Sequence, residues 1–260
     1  MIYLTGDTHG GIDMRKLMNE VLEANDIHIQ KGDYLIITGD FGFPFSPSDI
    51  EAYRKCKDPF GVSHWIDREY TYWIEWLCKQ PYTILFVDGN HDNHEWWTKQ
   101  EVSEMFGGKV QVHPHASNVI HLMRGEVYAI EEKTFFTFGG AVSTDKEWRT
   151  EGVSWWPGEE ASEEEMERAR TNLKKVDCSV DYIVTHTLPM QVIKSIPMFY
   201  HKTVPCKTAS FLDEVYESVD YDMWFCGHFH TSMPIYDDRV FVLYNSVTAL
   251  KDFEKILNED

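Results

Sequence analysis

The sequence predicts a layered α/β domain with a mixed sheet, or two sheets packed face to face. Short, almost continuous apolar runs recur along the chain, helical apolar stripes separate several of them, and two later runs follow each other with no helix between. Runs of this kind, rich in β-branched and aromatic residues, suit strands buried on both faces. Alternation with helices argues for packed layers.

The runs come in order. Residues 2–5 read Ile-Tyr-Leu-Thr and end at Gly6-Asp7, and residues 34–38 read Tyr-Leu-Ile-Ile-Thr and end at Gly39-Asp40. Residues 82–87 lead into Asp88-Gly89-Asn90, residues 182–185 into His186, and residues 223–226 into Gly227-His228. Further strands are expected over 119–130, 134–138 and 239–245. Met14, Leu17, Met18, Val21 and Leu22 follow the spacing of one helix face, as do Tyr70, Trp73, Ile74 and Leu77. Met166, Ala169, Leu173 and Val176 make a narrower stripe. The acidic residues Glu159, Glu160 and Glu163 to Glu165 read as the solvated start of that helix, where negative charge suits the dipole. Phe211 and Leu212 read as the packing face of a later helix, and Pro189 as a residue shaping the loop after His186. One domain over 1–260 is expected, with a substrate-side insertion around 141–176.

Composition narrows the function. Of the 260 residues, 24 are Lys or Arg and 43 are Asp or Glu, for a formal charge of −19. Such a surface repels long nucleic acid and anionic membrane. A small anionic substrate remains compatible, because bound metal ions reverse the local sign. No apolar stretch approaches the roughly 20 residues of a membrane span. The start, Met1-Ile2-Tyr3-Leu4-Thr5, reaches a polar cluster by Asp7 with no basic head and apolar run, so no signal peptide is expected. The five cysteines, Cys56, Cys78, Cys178, Cys206 and Cys226, form no CxxC pair, so a reducing, cytoplasmic setting is expected.

The polar residues beyond the runs carry the chemistry. In open α/β sheets, ligands bind past the carboxyl ends of the strands. Here those ends deliver Asp7 with His9, then Asp40, Asn90 with His91, His186, and His228 with His230. Carboxylates, imidazoles and one amide without a thiolate suit Mn, Fe, Zn or Co better than an all-oxygen magnesium or calcium cage. Glycine precedes Asp7, Asp40, Asn90 and His228, where it lets the backbone turn sharply and bring the next side chain into a crowded site.

The segments Gly6-Asp7-Thr8-His9-Gly10, Gly39-Asp40, Gly89-Asn90-His91-Asp92, Thr185-His186 and Gly227-His228-Phe229-His230 resemble the five blocks of calcineurin-like metallophosphoesterases, in that family's order. The resemblance implies a four-layer α/β/β/α sandwich of two mixed sheets flanked by helices. It implies a metal-dependent phosphoric ester hydrolase with two divalent or transition metal ions, Mn first, with Fe, Zn, Co and Ni also accommodated. Asp7, His9 and His230 would hold one ion, Asn90, His186 and His228 the other, and Asp40 would bridge them. Water or hydroxide between the ions would attack phosphorus. His91 would protonate or stabilise the leaving alkoxide.

One departure is visible. The superfamily's protein serine/threonine phosphatases carry an Asp and an Arg shortly after the bridging Asp, and here the chain reads Asp40-Phe41-Gly42-Phe43-Pro44. Another residue must then orient His91, and another cation must grip phosphate. Arg149 is the candidate for the grip, against a surface ion pair as the plainer reading. It lies in the stretch 139–156, which looks like a segment of small bacterial and phage-like superfamily members. Trp155 and Trp156 in the same stretch would stack on a base or wall the pocket, or simply pack the loop. His94 would touch substrate, or cap and pack the helix that follows. His28, His64, His113, His115, His121 and His201 read as structural or surface residues. The expected substrate is a small-molecule or peptide-borne phosphate mono- or diester. A nuclease or cyclic-nucleotide phosphodiesterase is the alternative, and a non-catalytic metal-binding scaffold is disfavoured because all seven ligands and His91 are present.

Overall fold

The computed structural model describes residues 1–51, 69–235 and 239–257. Cys56, His64 and the His201 side chain lie outside what it describes. Among the described residues, thirteen strands form two mixed sheets. The first has the order β13-β1-β2-β3-β6-β5-β4 and the second β11-β12-β10-β9-β8-β7. In the first, β1 (Ile2–Thr5), β2 (Tyr34–Ile37), β3 (Thr83–Phe86) and β6 (Ala116–Leu122) are parallel. Antiparallel partners flank them: β13 (Val247–Ala249) on one side, β5 (Gly108–His113) and β4 (Val102–Met105) on the other. In the second, β8 (Lys133–Phe138), β9 (Ser179–Thr185), β10 (Asp220–Cys226) and β12 (Val240–Val242) are parallel, flanked by antiparallel β7 (Glu126–Ile130) and β11 (Met233–Ile235).

Side chains alternate between two apolar layers along each central strand, as the two-residue strand period requires. Leu35 and Ile37 of β2 pack outward with Tyr70, Trp73, Ile74 and Leu77 of the helix Glu69–Cys78. Ile36 points inward to a layer shared with Tyr182, Val184 and Phe225 of the second sheet. On that sheet's far side, Trp224 and Cys226 pack against the helices Glu163–Lys175 and Lys207–Ser218, which bury Met166, Ala169, Leu173, Phe211 and Leu212. The layers are therefore helix, sheet, sheet, helix, the predicted sandwich. Ser162 begins the helix Glu163–Lys175 with a capping box: its hydroxyl accepts from Glu165 N, and Glu165 Oε2 accepts from Ser162 N. Such a cap contributes about 1 kcal/mol.

Three expected elements differ. The run 119–130 is not one strand. It leaves the first sheet at Leu122 and enters the second at Glu126, turning through Gly125, whose N–H donates to Thr137 O at 2.8 Å. The stretch 239–245 yields only Val240–Val242. The first helical stripe breaks at Met18, which is extended at φ −66° and ψ 142°, so a 3-10 turn (Met14–Leu17) and a short helix (Asn19–Ala24) replace one helix, and Val21 is exposed. Among the described residues, no helix is long and apolar enough to cross a membrane.

Candidate metal centre

The carboxyl ends of β1, β2, β3, β9 and β10 meet at one edge of the sandwich, and the candidate ligands meet with them. Asp40 Oδ2 is central: His9 Nε2 lies 3.1 Å from it and His186 Nε2 3.4 Å. Asp7 Oδ2 lies 3.3 Å from His230 Nε2. Donor atoms of Asp7, His9, Asp40 and His230 all fall within 4.8 Å of one another. Toward the other side, Asn90 Oδ1 lies 3.1 Å from His186 Nε2, and the His186 and His228 ring centroids are 5.0 Å apart. The seven residues predicted as ligands thus form one connected group: Asp7, His9, Asp40 and His230 cluster directly, and His186 links Asn90 and His228 to Asp40.

Their outer atoms are tied so that the inner ones face the common centre. His9 Nδ1 bonds Asp13 Oδ2 at 2.7 Å, and His186 Nδ1 donates to Thr38 O at 2.9 Å, which leaves both Nε2 atoms turned inward. Asn90 Nδ2 donates to Ser143 Oγ at 3.0 Å, which fixes the amide with Oδ1 inward. The His91 N–H donates to Asp40 Oδ1 at 2.7 Å, and His228 N–H to Asp7 Oδ1 at 3.0 Å. His9, Asp40, His228 and His230 all have positive φ, between 41° and 67°. For side chains other than glycine this is costly backbone, and it collects where packing over-determines the conformation.

The glycines before the ligands serve mainly to make room. Of the four, only Gly39 has positive φ, at 110°. A Cβ on Gly89 would lie 2.1 Å from Asp40 Oδ1, and one on Gly227 would lie 2.1 Å from Asp7 Oδ1. The neighbouring ligand therefore occupies the space a side chain would need.

The electrostatics suit a cation. Burial opposes charge on His9 and His186, yet Asp40 overcomes it and raises both to about 9. Asp40 itself is held well below the usual carboxylate range despite its burial, chiefly by His186 and His91. The carboxylates thus draw positive charge inward, and clustered imidazole, carboxylate and amide donors fit borderline divalent ions. His91 is pushed down from its ordinary value by burial, with the nearby Arg149 guanidinium adding to the effect.

His91 and Arg149 both line a cavity of about 380 Å³ with His9, Phe43 and Tyr70. His94 is elsewhere. It is buried beneath Gly158, with its Nδ1 3.4 Å from Arg124 Nη2, and it lines a different cavity. Trp156 is 2% exposed and meets Phe45 edge-on at 5.4 Å, so it packs the loop and presents no face to a base. Glu159 is 1% exposed and is no part of a solvated helix start, whereas Glu163 to Glu165 do occupy the first helical turn.

Sequence reasoning missed four supporting residues. Asp13 carried a signal, standing four residues after His9. Lys16 donates to the carbonyls of Gly6, Asp7 and Tyr244, and burial lowers it to about 8. Asp92 accepts from the N–H groups of Phe41 at 3.2 Å, Gly42 at 2.7 Å and Gly89 at 2.7 Å, clamping the Asp40 and Asn90 loops together. Burial and the neighbouring Asp40 raise it to about 7. Ser143, on the loop after β8, is the fourth.

Fold and site together present a candidate metal centre at the edge of an α/β/β/α sandwich. The model for calcineurin-like phosphoesterases matches residues 1–232, and the chain belongs to that family: it is a metal-dependent phosphoric ester hydrolase. No curated protein sequence matches the chain. Among solved structures, it is similar to phosphopantetheinyl hydrolase from Mycobacterium tuberculosis, at 16% identity over 98% of this chain and 91% of that one, TM-score 0.47. It is also similar to a protein described as a 5'-nucleotidase from Staphylococcus aureus, at 12% identity, TM-score 0.44, over 94% of this chain and 48% of that one.

Proposed function

We propose that the chain hydrolyses small phosphate esters at a centre of two divalent ions, with Mn the first choice. Asp7, His9 and His230 would hold one ion and Asn90, His186 and His228 the other, with Asp40 as the carboxylate that would serve both. The observation that carries this reading is the position of Asp40 Oδ2 between His9 Nε2 and His186 Nε2, at 3.1 and 3.4 Å. When bound, the ions supply an activated water and neutralise charge on the phosphoryl oxygens.

The chain's own residues do the rest. Arg149 grips a phosphoryl oxygen from the cavity wall. His91, anchored through its backbone to Asp40, faces the same cavity and stabilises or protonates the leaving alkoxide. One phosphoesterase unit, with 141–176 as its substrate-side segment, accounts for both residues. The formal charge of −19 favours a small ester over long nucleic acid. Cys178, Cys206 and Cys226 are free thiols, which supports a cytoplasmic setting.

The test is hydrolysis of para-nitrophenyl phosphate by chelator-treated protein with and without added Mn²⁺. Restored turnover is expected, and none with any divalent ion would sink the proposal. His91→Ala should lose turnover by about 10²–10⁴-fold while binding the same amount of metal. Loss of metal would make His91 a ligand instead.

A further inference from the structure

Arg149 is held on both flanks. Its Nε and Nη2 donate to the two carboxylate oxygens of Asp145 at 2.7 and 2.8 Å, and its Nη1 donates to Ser154 O at 3.2 Å. Asp145 and Arg149 stand at the two ends of the 3-10 turn Lys146–Trp148, closed by Trp148 N–H to Asp145 O at 2.9 Å. The strand of chain beyond is pinned in turn, since Thr150 N–H donates to Ser154 Oγ at 3.0 Å and Ser154 N–H to Thr150 O at 2.9 Å. The carboxylate and the carbonyl that hold the guanidinium therefore sit on one short, internally bonded loop.

A guanidinium carries five N–H donors. Among the described residues three are used, which leaves one on each terminal nitrogen. The side chain lines the same cavity as His91 and His9. Two N–H groups on the terminal nitrogens of one fork can both donate to a phosphoryl oxygen. Asp145 is half exposed, and a solvent-exposed ion pair contributes little to fold stability. Its physical effect is to remove the rotamer freedom of Arg149 before anything binds.

We propose that Asp145 is a positioning residue that presents Arg149 to phosphoryl oxygens, and that this clasp makes the enzyme select phosphate monoesters over diesters. The inference rests on the phosphoesterase reading above. A monoester carries three non-bridging oxygens and a charge of about −1.5 to −2 near neutrality. A diester has one oxygen and most of one charge fewer. Once two oxygens face the ligand cluster around Asp40, only the monoester has another for Arg149.

The test uses metal-loaded wild type, Arg149→Ala, Asp145→Asn and the double variant. It measures kcat and KM for para-nitrophenyl phosphate and bis-para-nitrophenyl phosphate, and binding of inorganic phosphate by calorimetry. Wild type should prefer the monoester. Arg149→Ala should lower monoester kcat/KM by about 10–100-fold, the worth of a charge-assisted hydrogen bond, and diester kcat/KM by much less. Asp145→Asn should act in the same direction by a smaller factor, mainly through KM, with its thermal midpoint near wild type. The double variant should be no worse than Arg149→Ala, because Asp145 acts only through Arg149. Diester preference in wild type, equal loss for both esters, or an Asp145→Asn effect that persists undiminished in the Arg149→Ala background would each overturn the proposal. If neither ester is turned over, the phosphoesterase reading fails separately. Phosphate titration then still decides the clasp, and equal affinity in all the proteins refutes it.

Discussion

Two buried clusters of charge lie side by side in this fold, and they are built on opposite plans. Around Asp40, carboxylates and imidazoles converge with their outer atoms tied to Asp13 and Thr38 and their inner atoms turned toward one point. Around Asp88, two residues before Asn90, the cluster contains its own cation. Arg124 Nε donates to Asp88 Oδ2 at 2.8 Å with Nη2 closing on the same oxygen, and His121 Nε2 lies 3.0 Å from Asp88 Oδ1. Nη2 also reaches the carbonyls of Gly158 at 3.0 Å and Glu159 at 3.2 Å, and Nη1 lies 3.4 Å from Glu165 Oε2. One cluster is balanced by its own buried arginine, and in the other the ring nitrogens and carboxylate oxygens converge on one another around Asp40. Ligand-like residue types therefore do not make a site; where their inner atoms point does.

The largest effect should come from Asp40→Asn. The amide keeps an oxygen for the His91 N–H but loses the negative charge that His9 and His186 share. Turnover should fall by about 10²–10³-fold, as when a charge-stabilising group is removed from a preorganised site. The protein should stay folded, because the open cluster does not hold the layers together. Metal content by elemental analysis and the far-UV spectrum check this. Wild-type turnover in the folded variant would remove Asp40 from the centre of the site.

Arg124→Met should do the reverse. It leaves Asp88 a buried carboxylate with only histidines beside it, His121 the nearest, at a cost of about 3–5 kcal/mol. Asp88→Leu with Arg124→Met should recover much of that, since replacing both partners of a buried pair is often neutral. Urea unfolding would show it. A single variant as stable as wild type would mean that Arg124 does not close its cluster.

What was legible in the sequence follows the same division. Strand ends that present ligands were visible because a buried apolar run must end in a polar residue for a reason, and five such ends share one edge. The closing groups were not visible. Nothing in Met123-Arg124-Gly125 shows that Arg124 reaches Asp88, since the contact exists only because β6 lies beside β3. Edge strand β4, Val102–Met105, has no fully buried residue, so no apolar run marked it. The crossing at 123–125 was hidden for a related reason: both flanking segments are apolar, and composition does not say which sheet each joins. Glu159 looked like its acidic neighbours because burial is a tertiary property. Met18 looked helical because a stripe of apolar residues fits a 3-10 turn followed by a helix as well as it fits one helix.

Histidines sharpen the comparison at a smaller scale. Asp40 raises His9 and His186 to about 9, whereas burial lowers His94 to about 4, with Arg124 adding to the effect, and lowers His113 to about 3. His113 is the cleanest case, because it belongs to neither charged cluster. Its Nδ1 accepts the His115 N–H at 3.1 Å and its Nε2 lies 3.3 Å from the Tyr70 hydroxyl, so protonation would break the first bond inside an apolar layer. The folded value lies below the unfolded value of 6.5. The stability it contributes is therefore full above pH 6.5 and is lost as pH falls toward 3. Between pH 7 and 5 the loss should be about 2 kcal/mol. His113→Asn keeps an acceptor near the Nδ1 position and cannot titrate. Its unfolding free energy should start lower at pH 7, where the Tyr70 contact is gone, and then fall less steeply with acid than wild type. Equal slopes in urea titrations at pH 7 and pH 5 would show that this ring carries a proton without penalty, and that burial alone does not separate the closed regions of the fold from the open one.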